Sequence, residues 1–145
     1  MWDLREIKFD LDWEVLLNWR NDKSTRISFF DDKKVTKKDH KKYIKNIIKD
    51  PNIKQYILVI GNDKIGTIKS TKTKKDNFEL SYTISPLHRG KKLSIFLMKA
   101  FLYRKKGTFI CKIKSDNTPS QKMVEACGYK LYQTENNVKI YKLEQ

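Results

Sequence analysis

Phe78-Glu79-Leu80-Ser81-Tyr82-Thr83-Ile84, then Ser85-Pro86-Leu87-His88-Arg89-Gly90-Lys91-Lys92, then Leu93 to Tyr103 (LSIFLMKAFLY): this stretch decides the fold. Alternation over Asn77 to Ser85 predicts a strand with Leu80, Tyr82 and Ile84 on one face and Glu79, Ser81 and Thr83 on the other. Pro86 and Gly90 bracket a basic turn. Leu93 to Tyr103 is almost wholly apolar, which predicts a helix buried on most sides and closed by Gly107. A strand feeding a basic glycine turn and then a buried helix suits a diphosphate, because the first helical N–H groups lack internal partners and the helix dipole favours negative charge there. Arg89, Lys91 and Lys92 add positive charge, although such a turn is also how an ordinary solvated loop reads.

Upstream, Leu4 to Phe9 reads as a short strand. Asp10 or Asp12 can cap a helix that lays Trp13, Leu16 and Leu17 on one face and ends around Trp19-Arg20-Asn21. Thr36, followed three positions later by Asp39, announces a second helix carrying His40, Tyr43, Ile44, Ile47 and Ile48 up to Pro51. His40 on that apolar face reads as packing before catalysis. Gln55 to Ile60, the turn Gly61-Asn62-Asp63 and Lys64 to Thr71 form a hairpin. Downstream come a strand at Phe109 to Lys114, a short helix from Asn117 to Ala126 ended by Gly128, and strands at Tyr129 to Gln133 and Val138 to Leu143. The predicted order is β-α-α-β-β-β-α-β-α-β-β.

The 145 residues, with no repeat, low-complexity tract or Pro/Gly-rich linker, fit a single domain over 1–145. A hydrophobic share of 39% is enough for a core despite 34% charged residues. No apolar run approaches the roughly 20 residues of a membrane span, and Met1-Trp2-Asp3-Leu4-Arg5 lacks the apolar block of a signal peptide, so a cytoplasmic protein without membrane partners is expected. Cys111 and Cys127 provide neither a disulfide framework nor a zinc set, and with only His40 and His88 beside them no metal site is expected. The net charge is +15, but 27 of the 32 basic residues are lysines scattered along the chain, and base readout favours arginine. Nucleic acid is therefore not the expected partner; an anionic small molecule is drawn in and a polycation repelled.

Ile84 to Ser94, with Asn117-Thr118-Pro119-Ser120 and Gly128-Tyr129 downstream, resembles the acetyl-coenzyme-A signature of the GNAT acetyltransferases, whose element order is also similar. Their turn, Q/R-x-x-G-x-G/A, maps onto Arg89, Gly90, Lys91, Lys92, Leu93 and Ser94, with Lys92 and Ser94 standing where small residues are usual. A Cβ at Lys92 needs a helical backbone angle or costs about 1 kcal/mol. Leu16 to Asn21 with Arg26, then Thr36 to His40, resembles the family branch that holds N-acetyltransferases of nucleotide-linked amino sugars, such as pseudaminic-acid pathway enzymes, and ribosomal-protein N-terminal acetyltransferases.

The resemblance implies an α/β (α+β) GNAT fold, a mixed, mostly antiparallel twisted sheet of six or seven strands flanked by about four helices. It implies acetyl transfer from acetyl-coenzyme A to a small amine, with a nucleotide-linked amino sugar preferred, by a monomer or homodimer. Protein N-terminal acetylation and a non-catalytic basic binding module are the competing readings. The pantetheine arm is expected along the backbone of Thr83 and Ile84 and at Asn117 and Ser120, and the phosphates on Arg89 to Ser94. Trp19 and Arg20 line the substrate site or merely pack a helix end. Glu79 is the expected proton acceptor for the amine, or else a solvated strand carboxylate paired with a lysine. The tyrosine with which the family often protonates the leaving thiolate falls on Val124.

Overall fold

The computed structural model describes residues 1–145. Seven strands form one sheet: β1 (Trp2–Glu6), β2 (Ile53–Ile60), β3 (Asp63–Lys74), β4 (Asn77–Ile84), β5 (Thr108–Lys114), β6 (Lys130–Glu135) and β7 (Val138–Glu144), in the order β1-β2-β3-β4-β5-β7-β6. Every neighbouring pair is antiparallel except β4 and β5. Five helices accompany it: α1 (Phe9–Asn21), α2 (Lys23–Arg26), α3 (Lys37–Lys49), α4 (Leu93–Leu102) and α5 (Thr118–Ala126). The mixed sheet and the element order match expectation, with α2 as an additional single turn.

Strand alternation sorts the apolar residues to two faces, so that adjacent Ile57 and Leu58 of β2 enter different cores. One core packs α1 and α3 on the sheet through Ile7, Leu16, Trp19, Ile44, Ile47 and Ile57. The larger one, on the other face, gathers Leu58, Ile68 and Leu80 of the sheet under Leu97, Met98 and Phe101 of α4 and Met123 and Val124 of α5. Helix α4 is less enclosed than its composition predicts: Leu97, Met98, Phe101 and Leu102 are buried, while Phe96 and Lys99 reach solvent.

The start of the chain differs from the sequence reading. The first strand ends at Glu6, and Phe9 already opens α1. Neither Asp10 nor Asp12 is the N-cap; Lys8 holds that position, and Asp12 reaches back from inside the helix to accept the Lys8 N–H at 2.7 Å. Asp12 is fully buried, grips the Arg5 guanidinium at 2.8 and 2.9 Å, and meets Lys64 Nζ at 3.0 Å. One carboxylate thus ties β1, α1 and β3 together. Thr36 caps α3 as expected, and Asn117, read as the first residue of α5, is instead its N-cap, accepting the Ser120 N–H.

Burial alone would push the Asp12 carboxyl up, but Arg5, the Lys8 N–H and Lys64 more than offset this and hold it at about 2. A folded-state value below the ordinary one gives stability that is present above roughly pH 4 and is lost as pH falls toward 2, worth about 2 kcal/mol in all. Asp12→Asn is expected to lower the melting temperature at pH 7 and to flatten the acid limb of the stability profile. Parallel acid limbs in the two proteins would refute this.

Candidate active site

The sheet comes apart in its middle. β4 pairs with β5 only from Asn77 to Leu80, against Thr108 to Cys111. Beyond that point β4 continues along β3 up to Ile84, while β5 continues along β7 up to Lys114. The backbone of Ser81 to Ile84 therefore has a ladder on one side only, and two cavities open where the ladder stops.

The first, of about 560 Å³, lies between Thr83 and Ile84 of β4, the turn before α4, and the start of α5. Arg89, Gly90, Lys92, Leu93 and Ser94 line it, as do Asn117 and Ser120, so all the residues expected at the cofactor except Lys91 meet in one place. Gly90 and Lys92 both have left-handed backbone, with φ of 78° and 60°. Lys92 is the N-cap of α4 and makes no side-chain cap, so the first N–H groups of that helix carry no capping side chain. The Arg89 guanidinium has partners across the cavity's lining: it donates to Ser24 Oγ and Thr25 Oγ1 and stands 3.7 Å from Asp22. It thereby fastens the turn to α2, whose Ser24 and Thr25 line the cavity together with Ile27 and Ser28 just after the helix.

This cavity fits acetyl-coenzyme A in its chemistry. It offers a strand edge for amide groups, a left-handed turn and an uncapped helix start for phosphates, and a buried His88 Nδ1 with no hydrogen-bond partner in the protein.

The second cavity, of about 530 Å³, lies on the α1–α3 side. Trp19, Phe29, Phe30 and Tyr43 stand in its walls, and its charged groups are Arg20, Lys69, Asp31 and Asp39. Arg20 stacks over Phe29, 4.4 Å from the ring centre, and donates from Nη2 to the Asp31 carbonyl at 3.0 Å; its Nη1 is buried without a partner. His40 packs as expected and also faces this cavity. Its Nε2 lies 3.0 Å from the Trp13 carbonyl, which can only accept, so Nε2 carries the proton and Nδ1 keeps a lone pair. Burial holds this imidazole below its usual value, hence neutral near pH 7.

Tyr82 and Thr83 line both cavities. The Tyr82 hydroxyl lies 2.8 Å from Ser120 Oγ, and burial pushes it up to about 12, so it stays protonated. Sequence alternation placed Tyr82 on the apolar face correctly, but only the parting of β4 from β5 turns that position into a site. Val124 is fully buried in the core and offers no proton. Glu79 does not join the others. It lies on the still-paired part of β4, opposite Ile110, 3.5 Å from Lys112, and lines neither cavity. Lys91 is likewise exposed and outside both.

A family model described as an acetyltransferase (GNAT) domain matches residues 3–130. No curated protein matches the chain in sequence. Among solved structures, spermidine N-acetyltransferase from Vibrio cholerae, in complex with CoA and spermine, superposes with a TM-score of 0.86 at 16% identity, covering 99% of this chain and 95% of that one. A domain from Methanocaldococcus jannaschii gives 0.80 at 23% identity, with 100% and 99% covered. Campylobacter jejuni N-acetyltransferase PseH, in complex with acetyl coenzyme A, gives 0.75 at 16%, with 100% and 99% covered. At these identities the likeness is one of fold.

The left-handed Lys92 is the strained point of the turn, because a Cβ there crowds the following carbonyl. Lys92→Gly is expected to stabilise the protein by about 1 kcal/mol, a rise of roughly 3 °C in melting temperature. An unchanged or lower melting temperature would show that the lysine side chain offsets the strain.

Proposed function

The chain belongs to the GNAT acetyltransferase family, and from that premise we propose that it acetylates the primary amine of a small anionic acceptor, a nucleotide-linked amino sugar above all, using acetyl-coenzyme A. The observation that carries this reading is the meeting of the two cavities at Tyr82 and Thr83, which brings a donor and an acceptor face to face across one strand. Acetyl-coenzyme A, when bound, supplies the activated thioester carbonyl; the work of the protein is to hold, align and handle protons.

The strand edge of Thr83 and Ile84 orients the donor, and a backbone N–H there is placed to stabilise charge on a carbonyl oxygen without reorganisation. In the acceptor cavity Arg20 has a buried, unpartnered Nη1 and no carboxylate within ion-pairing distance, which supports an anionic group on the acceptor. An amine near pKa 10 must lose a proton before it attacks. Since Glu79 lies outside the cavity, the neutral His40, with its Nδ1 lone pair, takes that role through water. The Tyr82 hydroxyl donates to Ser120 Oγ, which leaves the Ser120 O–H to donate to the departing sulfur in place of the side chain missing at Val124. The segment carrying Phe29, Phe30, Asp31 and Val35 walls the cavity, which suits a compact acceptor better than a peptide.

Millimolar acetyl-coenzyme A is expected to raise the melting temperature by mass action, and an amine panel read by free-thiol release should favour nucleotide-linked amino sugars over the free sugars and over spermidine, with a preference that weakens in salt. Arg20→Ala should raise KM for the acceptor about tenfold and leave that for acetyl-coenzyme A nearly unchanged. Salt-insensitive acetylation of spermidine would overturn the anionic acceptor; binding of acetyl-coenzyme A without turnover of any amine would favour a non-catalytic module.

The proton acceptor is tested separately. His40→Gln keeps an N–H for the Trp13 carbonyl and should lower turnover more at pH 7 than at pH 9, where more free amine exists. Glu79→Gln should change turnover less than twofold at either pH. The opposite ranking would return the role to Glu79.

A further inference from the structure

The acceptor cavity contains a hydrogen-bond chain that runs in one direction. The Tyr56 carbonyl can only accept, so the Thr67 hydroxyl, 2.7 Å away, must donate to it. Thr67 Oγ1 is then free to accept, and the Gln55 amide nitrogen donates to it at 2.9 Å. The amide is thereby locked in one orientation. Its other end, Oε1, is buried with no partner in the protein, and Gln55 and Thr67 both line the cavity. A buried acceptor held in place but left unmatched is a group made to meet something else.

We infer that Gln55 Oε1 is a specificity-determining contact that accepts a hydrogen bond from a neutral N–H or O–H of the acceptor, an amide or imide nitrogen or a sugar hydroxyl. This inference rests on the acceptor cavity proposed above and says what must enter it. The group is uncharged, so it gives a polyamine ammonium no counter-charge, and the cations that share its cavity, Arg20 and Lys69, offset the carboxylates of Asp31 and Asp39. Nor is Gln55 adjacent to the reacting strand: it stands opposite Lys69 of β3, which in turn stands opposite Ser81 of β4, two strand spacings away, about 10 Å. It therefore reads the body of the acceptor and not the amine under attack. The two unpartnered atoms of the cavity have opposite needs. Arg20 Nη1 requires an oxygen and Gln55 Oε1 a hydrogen, and an acceptor that brings both is selected over one that brings either alone.

The test uses the whole chain, with Gln55→Leu, Gln55→Glu and Thr67→Val, and with a nucleotide-linked amino sugar, the free amino sugar and spermidine as probes. Gln55→Leu should raise KM for the preferred acceptor about tenfold, leave KM for acetyl-coenzyme A unchanged and not lower the melting temperature, because it removes an unmatched buried group. Thr67→Val, which frees the amide to turn over, should raise the acceptor KM by a smaller factor; Gln55→Glu should shift preference toward spermidine. Comparison of the free sugar with the nucleotide-linked one assigns the donor to a sugar hydroxyl or to the base. A lowered melting temperature for Gln55→Leu, or an unchanged KM for every acceptor, would overturn the inference. Failure of the wild-type protein to acetylate any probe while it binds acetyl-coenzyme A would count against the parent reading, and the melting temperature of Gln55→Leu then decides for Gln55 alone.

Discussion

The pairing of β4 with β5 lasts four residues, and the site depends on its ending there. Past Leu80 each strand keeps its outer neighbour and loses its inner one, so the backbone from Ser81 to Ile84 is left with one ladder. Backbone N–H and C=O groups away from bulk water need partners, and a strand edge inside a molecule amounts to a demand for one. The fold answers with the starts of two helices, α4 and α5, and with the phenol of Tyr82 hydrogen-bonded to Ser120. The edge is shaped for an extended ligand with amide groups. The same parting lets a second cavity on the opposite face of the sheet meet the first at Tyr82 and Thr83, so one interruption of hydrogen bonding makes both cavities and the contact between them.

The two faces of the sheet divide the work. The core under α4 and α5 is large and surrounds Leu97, Met98, Phe109 and Val124 completely. The core under α1 and α3 is small, and the space it does not fill is the acceptor cavity, between Leu16 and Trp19 of one helix and His40 and Ile44 of the other. A thinly packed face needs another device to hold its helices in place. Asp12 provides it, since a buried carboxylate with two cations and a backbone N–H fixes α1 against β1 and β3 without consuming the cavity volume. Removing one partner of such a set leaves charge buried and unmatched, which makes it a rigid fastening more than a source of net stability.

What could be read in the sequence follows from the range of the forces involved. Strand alternation in Phe78 to Ile84 and the capping pair Thr36 and Asp39 are local signals, and local signals gave the element order and the turn between β4 and α4. The sequence offers Asp10 or Asp12 as a cap and no more, because the partners of Asp12 are split between its near neighbourhood and Lys64, which lies beyond any local window. Helix α2 is a single turn capped by Asp22, too short for a period, so the wall it builds with Arg89 was invisible. Alternation fixed the face of Glu79 but not its distance from the end of the ladder, and that distance excludes it from the cavity. Gln55 and Thr67 carried no signal at all, since the direction of their hydrogen bonds exists only once β2 and β3 are paired.

Charge acts on two scales here. Over the whole chain the net +15 draws anions in, and many of the lysines responsible are laid along apolar surface: Lys37 and Lys41 over Trp13, Lys45 over Phe9. Such side chains serve solubility and cover, and they steer without discriminating. Inside the acceptor cavity Arg20 and Lys69 are matched in number by Asp31 and Asp39, so the field there is far weaker than the total charge implies. Lys69 is further occupied by the Tyr43 hydroxyl at 2.7 Å, and Arg20 by the Asp31 carbonyl and the Phe29 ring. The buried atoms of this cavity left without partners are one donor, Arg20 Nη1, and one acceptor, Gln55 Oε1. The two scales differ in kind: net charge attracts anions without discriminating, whereas a buried donor and a buried acceptor left unmatched favour a ligand that carries both complements, because only such a ligand recovers what their burial cost.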